Sequence, residues 1–191
     1  MIKKGYFPIF LTFLTSDDKE QTLKKKVMKI VQTLSSFTST SLKVYFINHD
    51  PNLERLSKKC DRKLTCILCK RLMIRIAKEI GNFEKTNIIV TGDILGEQAS
   101  QTLDNLFAYN DLLKGFIILR PLIGRDKLEI IKLNEKTGLY KITSQSSAGC
   151  KFNPQYPETH AKIKEIDEEE SKLEMNSFIK NSLNNAEILK F

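Results

Sequence analysis

The chain has 191 residues, enough for one domain with a real core, and its 41% apolar and 28% charged content is globular rather than disordered. Net charge is +8 and uneven: residues 1–150 carry 25 Lys/Arg against 15 Asp/Glu, and residues 151–191 carry 6 against 8. Such a body attracts polyanions, nucleic acid among them, although charge alone equally describes a solvated lysine-rich surface. No apolar run approaches the roughly 20 residues that cross a bilayer, so no membrane partner is expected. Tyr6 to Leu14 is only strand-sized and lacks a small-residue cleavage site. Four cysteines without an export signal point to a reducing, cytoplasmic setting, and to thiols or metal rather than a disulfide framework.

Phe7 to Phe13 reads as a buried strand, and Ser16 or Asp17 can cap the helix that follows. Leu23, Val27, Ile30, Val31 and Leu34 recur on that helix at helical spacing. Lys43 to Asn48 is a second strand. His49 to Thr65 is polar and reads as a loop with a short helical piece. Leu72, Met73, Ile76, Ala77 and Ile80 give a helix face that Gly81 would stop. Asn87 to Thr91 is a third strand, Ala99 to Phe107 a helix, and Phe116 to Arg120 a fourth strand before Pro121. Asp126 can cap a helix carrying Ile130, Ile131 and Leu133 and ending at Gly138. From about His160 the chain is helical and amphipathic in places, with Asp167 to Glu170 as a solvated face. The alternation predicts an α/β fold with a parallel sheet covered on both faces, in a single domain with an α/β body over 1–150 and a helical tail over 151–191.

In open sheets of this kind, ligands bind beyond the carboxyl ends of the strands. The loops 49–65, 91–98, 120–125 and 141–152 should include that edge. Cys66 and Cys69 form a C-x-x-C at a helix mouth, and topology lets Cys150 join them there. Two thiolates three residues apart can share a metal, attack a disulfide or sit buried. Three thiolates can bind a [4Fe–4S] cluster and leave one iron without a protein ligand; tetrahedral zinc is the alternative. Cys60 is either a fourth ligand or an ordinary thiol. His49 and His160 lack metal-ligand spacing.

The turn Thr91-Gly92-Asp93-Ile94-Leu95-Gly96-Glu97-Gln98 stands where a strand hands over to a helix. Gly92 and Gly96 permit a tight turn whose N–H groups can receive phosphate oxygens, or a plain strand-to-helix turn. Asp93 and Glu97 can hold Mg2+ or orient a nucleotide, or act as caps. Arg120 and Lys127 can pair phosphates or form surface ion pairs.

Cys66-Ile67-Leu68-Cys69-Lys70-Arg71-Leu72-Met73, the turn from Thr91 to Thr102, Arg120-Pro121-Leu122-Ile123-Gly124-Arg125-Asp126-Lys127, Cys150 and the closing Asn185-Ala186-Glu187-Ile188 occur in one order. Together they resemble the tRNA 4-thiouridine synthase (tRNA sulfurtransferase, thiamine-biosynthesis type) family of PP-loop ATP pyrophosphatases, in its archaeal, cluster-bearing branch. The resemblance implies an α/β fold of the adenine nucleotide α-hydrolase type, a three-layer parallel sheet with a helical C-terminal tail. It implies adenylation of a tRNA uridine carbonyl by ATP and Mg2+, then displacement of AMP by sulfur. By the same resemblance Cys66, Cys69 and Cys150 hold the cluster. Cys150 matches the catalytic cysteine of cluster-free relatives, and Lys127 a lysine important for activity. Thr91, Gly92, Asp93, Gly96, Gln98 and Arg120 belong to the nucleotide site. The family's S-G-G-x-D-S loop would lie upstream of a segment like Lys3-Lys4-Gly5-Tyr6, with its strand and most of the first helix. The 191 residues contain no such loop. The expected arrangement is therefore the C-terminal part of the enzyme, with the loop supplied by a partner subunit; a homo-oligomer is the other association expected. Two rivals stand beside it: a non-catalytic metal-bearing module that binds RNA or protein, and a degenerate homologue with a structural role.

Overall fold

The structure, a computed structural model, describes residues 2–15, 22–146 and 149–191. Ser16 and Asp17, read as helix caps, lie outside the described residues. The chain divides into two compact units: residues 1–50, Lys127–Lys151 and Ser182–Phe191 form the first, and Pro51–Asp126 with Phe152–Asn181 the second.

The first unit is built on a three-stranded sheet. Strand β1 (Ile9–Leu14) is branched and aromatic, as strands prefer, and pairs in parallel with β2 (Lys43–Asn48) from Ile9↔Lys43 to Leu14↔Asn48. Helix α1 (Thr22–Ser35) makes the crossover and buries Val31 against Leu42, Val44 and Phe46, with Val27, Met28 and Leu34 packed around them. A parallel pair needs such a crossover, and the helical spacing supplies its apolar face. The last strand, β5 (Glu187–Lys190), pairs antiparallel with β2, from Lys43↔Lys190 to Phe46↔Glu187. The helical tail expected over 151–191 is corrected at its end, which is a sheet strand, and Leu189 and Phe191 pack on the core of the first unit. Helices α5 (Lys127–Lys136) and α6 (Tyr140–Thr143) complete this unit, with Gly138 turning between them at φ +74°.

His49, just past β2, is fully buried, its ring edge-on to Phe13 at 4.9 Å between centroids. Burial lowers its pKa to about 4, against a smaller upward pull from Asp50. The folded value lies below the unfolded one. The stabilisation from neutral His49 is therefore complete above pH 6.5 and is lost as pH falls from 6.5 toward 4. Between pH 7.5 and 4.5, urea unfolding should lose about 2–3 kcal/mol to this group. His49→Gln should be flatter across that window by the same amount; equal slopes in the two proteins would remove His49 as the cause.

The second unit carries a two-stranded parallel sheet, β3 (Ile88–Val90) and β4 (Ile117–Leu119), in the register Ile88↔Ile117 to Val90↔Leu119. Its long helix is α3 (Thr65–Phe83), which buries Ile67, Leu68, Leu72, Ile76 and Ile80. Gly81 does not stop α3 but lies within it. An added Cβ would stand 2.7 Å from the Phe116 ring and 2.8 Å from the Thr86 carbonyl, so Gly is there for close packing. The expected loop over 49–65 is mostly helix α2 (Asp50–Lys59), with Pro51 in its first turn and Leu53 and Leu56 buried. The helix expected over 99–107 is interrupted: a 3-10 turn at Ala99–Gln101 gives way to extended Thr102, whose hydroxyl accepts from the N–H of Asn105 and caps α4 (Leu103–Phe107). Helices α7 (Ile163–Glu170) and α8 (Met175–Asn184) follow. Among the described residues, no helix is long and apolar enough to cross a membrane.

Candidate thiolate and nucleotide site

Asp61 opens the approach to α3. Its carboxylate accepts from the Lys63 N–H at 2.9 Å and shapes a 3-10 turn over Arg62–Leu64. Cys66 and Cys69 then fall on the first turns of α3, three residues apart and so on one face. Both are half-buried. The Cys66 thiol donates to the Asn153 side-chain oxygen at 3.3 Å. Asn153 belongs to a strap that Arg62 holds through the Phe152 carbonyl (3.2 Å) and Lys63 through the Glu158 N–H (3.0 Å). Buried Asn105 grips the strap's far end, donating to the Glu158 carbonyl at 2.8 Å and accepting from the Ala161 N–H at 3.1 Å.

Cys60 is different. It is buried and donates to the Glu169 carbonyl at 3.6 Å. Burial, helped by Glu169, pushes its pKa up to about 11, which fits the ordinary-thiol reading rather than that of a fourth ligand.

The residue after the cysteine pair joins it to the turn. Lys70 donates to Asp93 at 2.6 Å. Asp93 is only 1% exposed; its other oxygen accepts from the Thr91 hydroxyl at 2.7 Å and from Arg120 Nε, at the end of β4, at 3.3 Å. Burial opposes the charge, yet these bonds and the two cations hold the carboxyl below its ordinary range. Tyr109 is fully buried and donates to the Ser100 carbonyl at 3.0 Å. Burial raises its pKa, and Asp93, Cys69 and Cys66 add to the rise, which places all three in one electrostatic neighbourhood.

The turn itself is largely self-satisfied. The N–H groups of Ile94, Leu95, Gly96 and Glu97 go to the Gln101 side chain, the Ile123 carbonyl, the Gln101 carbonyl and the Ile94 carbonyl. In this conformation those four N–H groups are engaged within the fold, which is the arrangement of a plain strand-to-helix turn. Gly96 serves the turn, at φ +77°. Gly92 and Gln98 are exposed, and the Gln98 carbonyl accepts from the Gln101 N–H at 2.8 Å. The second unit thus brings together Cys66, Cys69, Thr91, Asp93 and Arg120. Lys127, at the start of α5, and Cys150 are exposed residues of the first unit.

Residues 1–175 match the family model described as Thiamine biosynthesis protein (ThiI). The chain belongs to the ThiI family. Among relatives, it is 37% identical over 191 residues to a probable tRNA sulfurtransferase of Methanosarcina mazei, covering 100% of this chain and 47% of that protein. It is 35% identical over 178 residues to a probable tRNA sulfurtransferase of Methanocaldococcus jannaschii, covering 92% and 45%. The chain spans about half the length of the curated relatives it matches. The fold matches a 4-thiouridine synthetase crystallised in complex with RNA and with bound ATP: the TM-score is 0.91 at 24% identity, over 99% of this chain and 50% of that one. The α/β fold expected from the sequence is thereby shown.

Two residues of this ThiI-family chain escape a motif search. Lys70 had a signal, a cation directly after the C-x-x-C, but nothing local says that it reaches Asp93. Tyr109 had none. As for metal, among the described residues no three His, Cys, Asp or Glu groups stand together as a ready ligand set. Cys66 and Cys69 are a half-site of soft donors on one helical face, and that chemistry fits an iron–sulfur cluster or zinc.

Proposed function

We propose that this chain is the C-terminal part of an ATP-dependent tRNA sulfurtransferase that makes 4-thiouridine. The observation that carries the reading is the Lys70–Asp93 pair, which ties the cysteine helix to the turn after β3. Sulfur chemistry and nucleotide activation need those two elements side by side. The uridine carbonyl oxygen attacks the α-phosphate of ATP and releases pyrophosphate; sulfur then adds at the activated carbon and AMP leaves. Cys66, Cys69 and Cys150 would hold a [4Fe–4S] cluster, and when bound it would supply an iron without a protein ligand, where sulfide can be held. Cys150 stands three residues before Asn153 in the sequence, and Asn153 is the partner of Cys66, which supports Cys150 as the third ligand. Thr91, Gly92 and Gln98 would border the nucleotide with Mg2+. Lys127 would neutralise phosphate charge in the transition state.

tRNA is the partner that the charge supports. The first unit has 14 Lys/Arg against 7 Asp/Glu and the second 17 against 16, so the cationic excess is concentrated in the first. The S-G-G-x-D-S loop would reach the site from outside these 191 residues, on another segment or on a partner subunit. β1 supports this: among the described residues it has β2 on one side and no strand on the other. The setting is cytoplasmic, where thiols stay reduced.

The test replaces the matching region of the Methanosarcina mazei relative with this chain and measures 4-thiouridine in tRNA from a host that lacks it. The spliced protein should thiolate, Cys150→Ala should abolish the product, and Lys127→Ala should lower the rate by about 10²–10³-fold. A folded splice that makes none, beside an active unspliced relative, would refute the assignment and favour a non-catalytic module.

A further inference from the structure

We propose that Lys70 and Arg120 are positioning residues acting through Asp93, and that Asp93 anchors the 91–98 turn to the cysteine helix instead of holding Mg2+. The inference deepens the reading above, in which this turn serves the nucleotide.

Three segments meet at one carboxylate. Lys70 comes from α3, one residue beyond Cys69; Thr91 and Asp93 come from the turn; Arg120 comes from the end of β4. One Asp93 oxygen takes Lys70 and the other takes Thr91 and Arg120, at 2.6, 2.7 and 3.3 Å. Mg2+ demands near-octahedral oxygen coordination and keeps several waters. A carboxylate 1% exposed, with two cations already on it, offers neither an approach for those waters nor a field that attracts a third cation. A buried pair of this kind is costly to break from one side, because the charge left behind has no partner. Asp93 is therefore a rivet. It sets the spacing between the cysteine helix and the entry of the turn, and it does so before any nucleotide arrives.

The experiment is deuterium exchange, read by mass spectrometry, on the peptide covering residues 91–101 of the whole chain. It compares the native chain with Lys70→Met, Asp93→Asn, the double variant and Lys70→Arg, with and without millimolar Mg2+ and with no nucleotide. Exchange should quicken at least about tenfold in each single neutralising variant. The double variant should be no faster than either single one, because both remove the same bond. Lys70→Arg should restore native exchange, which a general loss of packing would not do, and Mg2+ should change nothing in the native chain. Unchanged exchange in Lys70→Met, fully additive effects, or failure of Lys70→Arg to restore protection would overturn the proposal. So would Mg2+ slowing exchange in the native chain but not in Asp93→Asn. The readout uses no ATP or tRNA: a clamp seen here beside a spliced protein that makes no 4-thiouridine would refute the functional reading alone.

Discussion

Glu170→Ala lowers the unfolding free energy by about 3–5 kcal/mol. Glu170 closes α7 and is buried, and its carboxylate faces two arginines of α3. Arg71 donates to it at 2.9 and 3.0 Å, and Arg75 at 2.6 and 2.7 Å. Arg71 is 1% exposed and also grips Asp111 through two bonds of 2.7 Å and the Ala108 carbonyl. Burial works against every charge in this cluster, yet the carboxyls of Glu170 and Asp111 are held low and the Arg71 guanidinium is raised by their mutual bonds. Removing Glu170 takes away the carboxylate that Arg71 and Arg75 share and leaves Asp111, bonded to Arg71, as the remaining anion of the cluster. Arg71→Met should cost less, because Arg75 remains on Glu170 and half-exposed Asp111 can turn to water. Urea unfolding of the native chain and both variants checks the order. A loss below about 1 kcal/mol for Glu170→Ala would show that the cluster carries little stability. The sign with pH follows from the lowered Glu170 value: its stabilisation is complete above the unfolded carboxylate range and is lost as pH falls through the folded one.

Glu170 also marks where sequence reading fails. A run of four acids reads as a solvated face, and it is one for Asp167 and Glu168, whereas Glu169 is half-buried and accepts from the Asp61 N–H and from Lys172. The fourth is decided by Arg71 and Arg75, which stand 99 and 95 residues earlier and which no local pattern connects to it. Strand β2 was legible to the residue, because Lys43–Asn48 is branched, aromatic and buried on both faces. Strand β5 was not, since four residues with Glu187 and Lys190 at the ends carry almost no strand signal; pairing with β2 makes them a strand. Helix α2 was hidden by its polar composition, with Asn52, Leu53 and Leu56 as its only buried side chains. At the site, the C-x-x-C and the 91–98 turn were visible as motifs. What joins them, a lysine and an aspartate 23 residues apart, belongs to tertiary structure.

The second large effect concerns the thiols. Cys66 and Cys69 give two soft donors on one helical face, and Cys150 would be the third. Losing one of three protein ligands should empty a [4Fe–4S] site, whereas losing Cys60, a buried thiol with a pKa near 11 that donates to a backbone carbonyl, should not. Anaerobic purification, with iron, acid-labile sulfide and zinc quantified for the native chain, Cys150→Ala and Cys60→Ala, tests the assignment directly. About four iron atoms and four sulfides are expected per native chain, retained in Cys60→Ala and lost in Cys150→Ala. Zinc in their place, no metal at all, or iron and sulfide that survive the loss of Cys150 would contradict it.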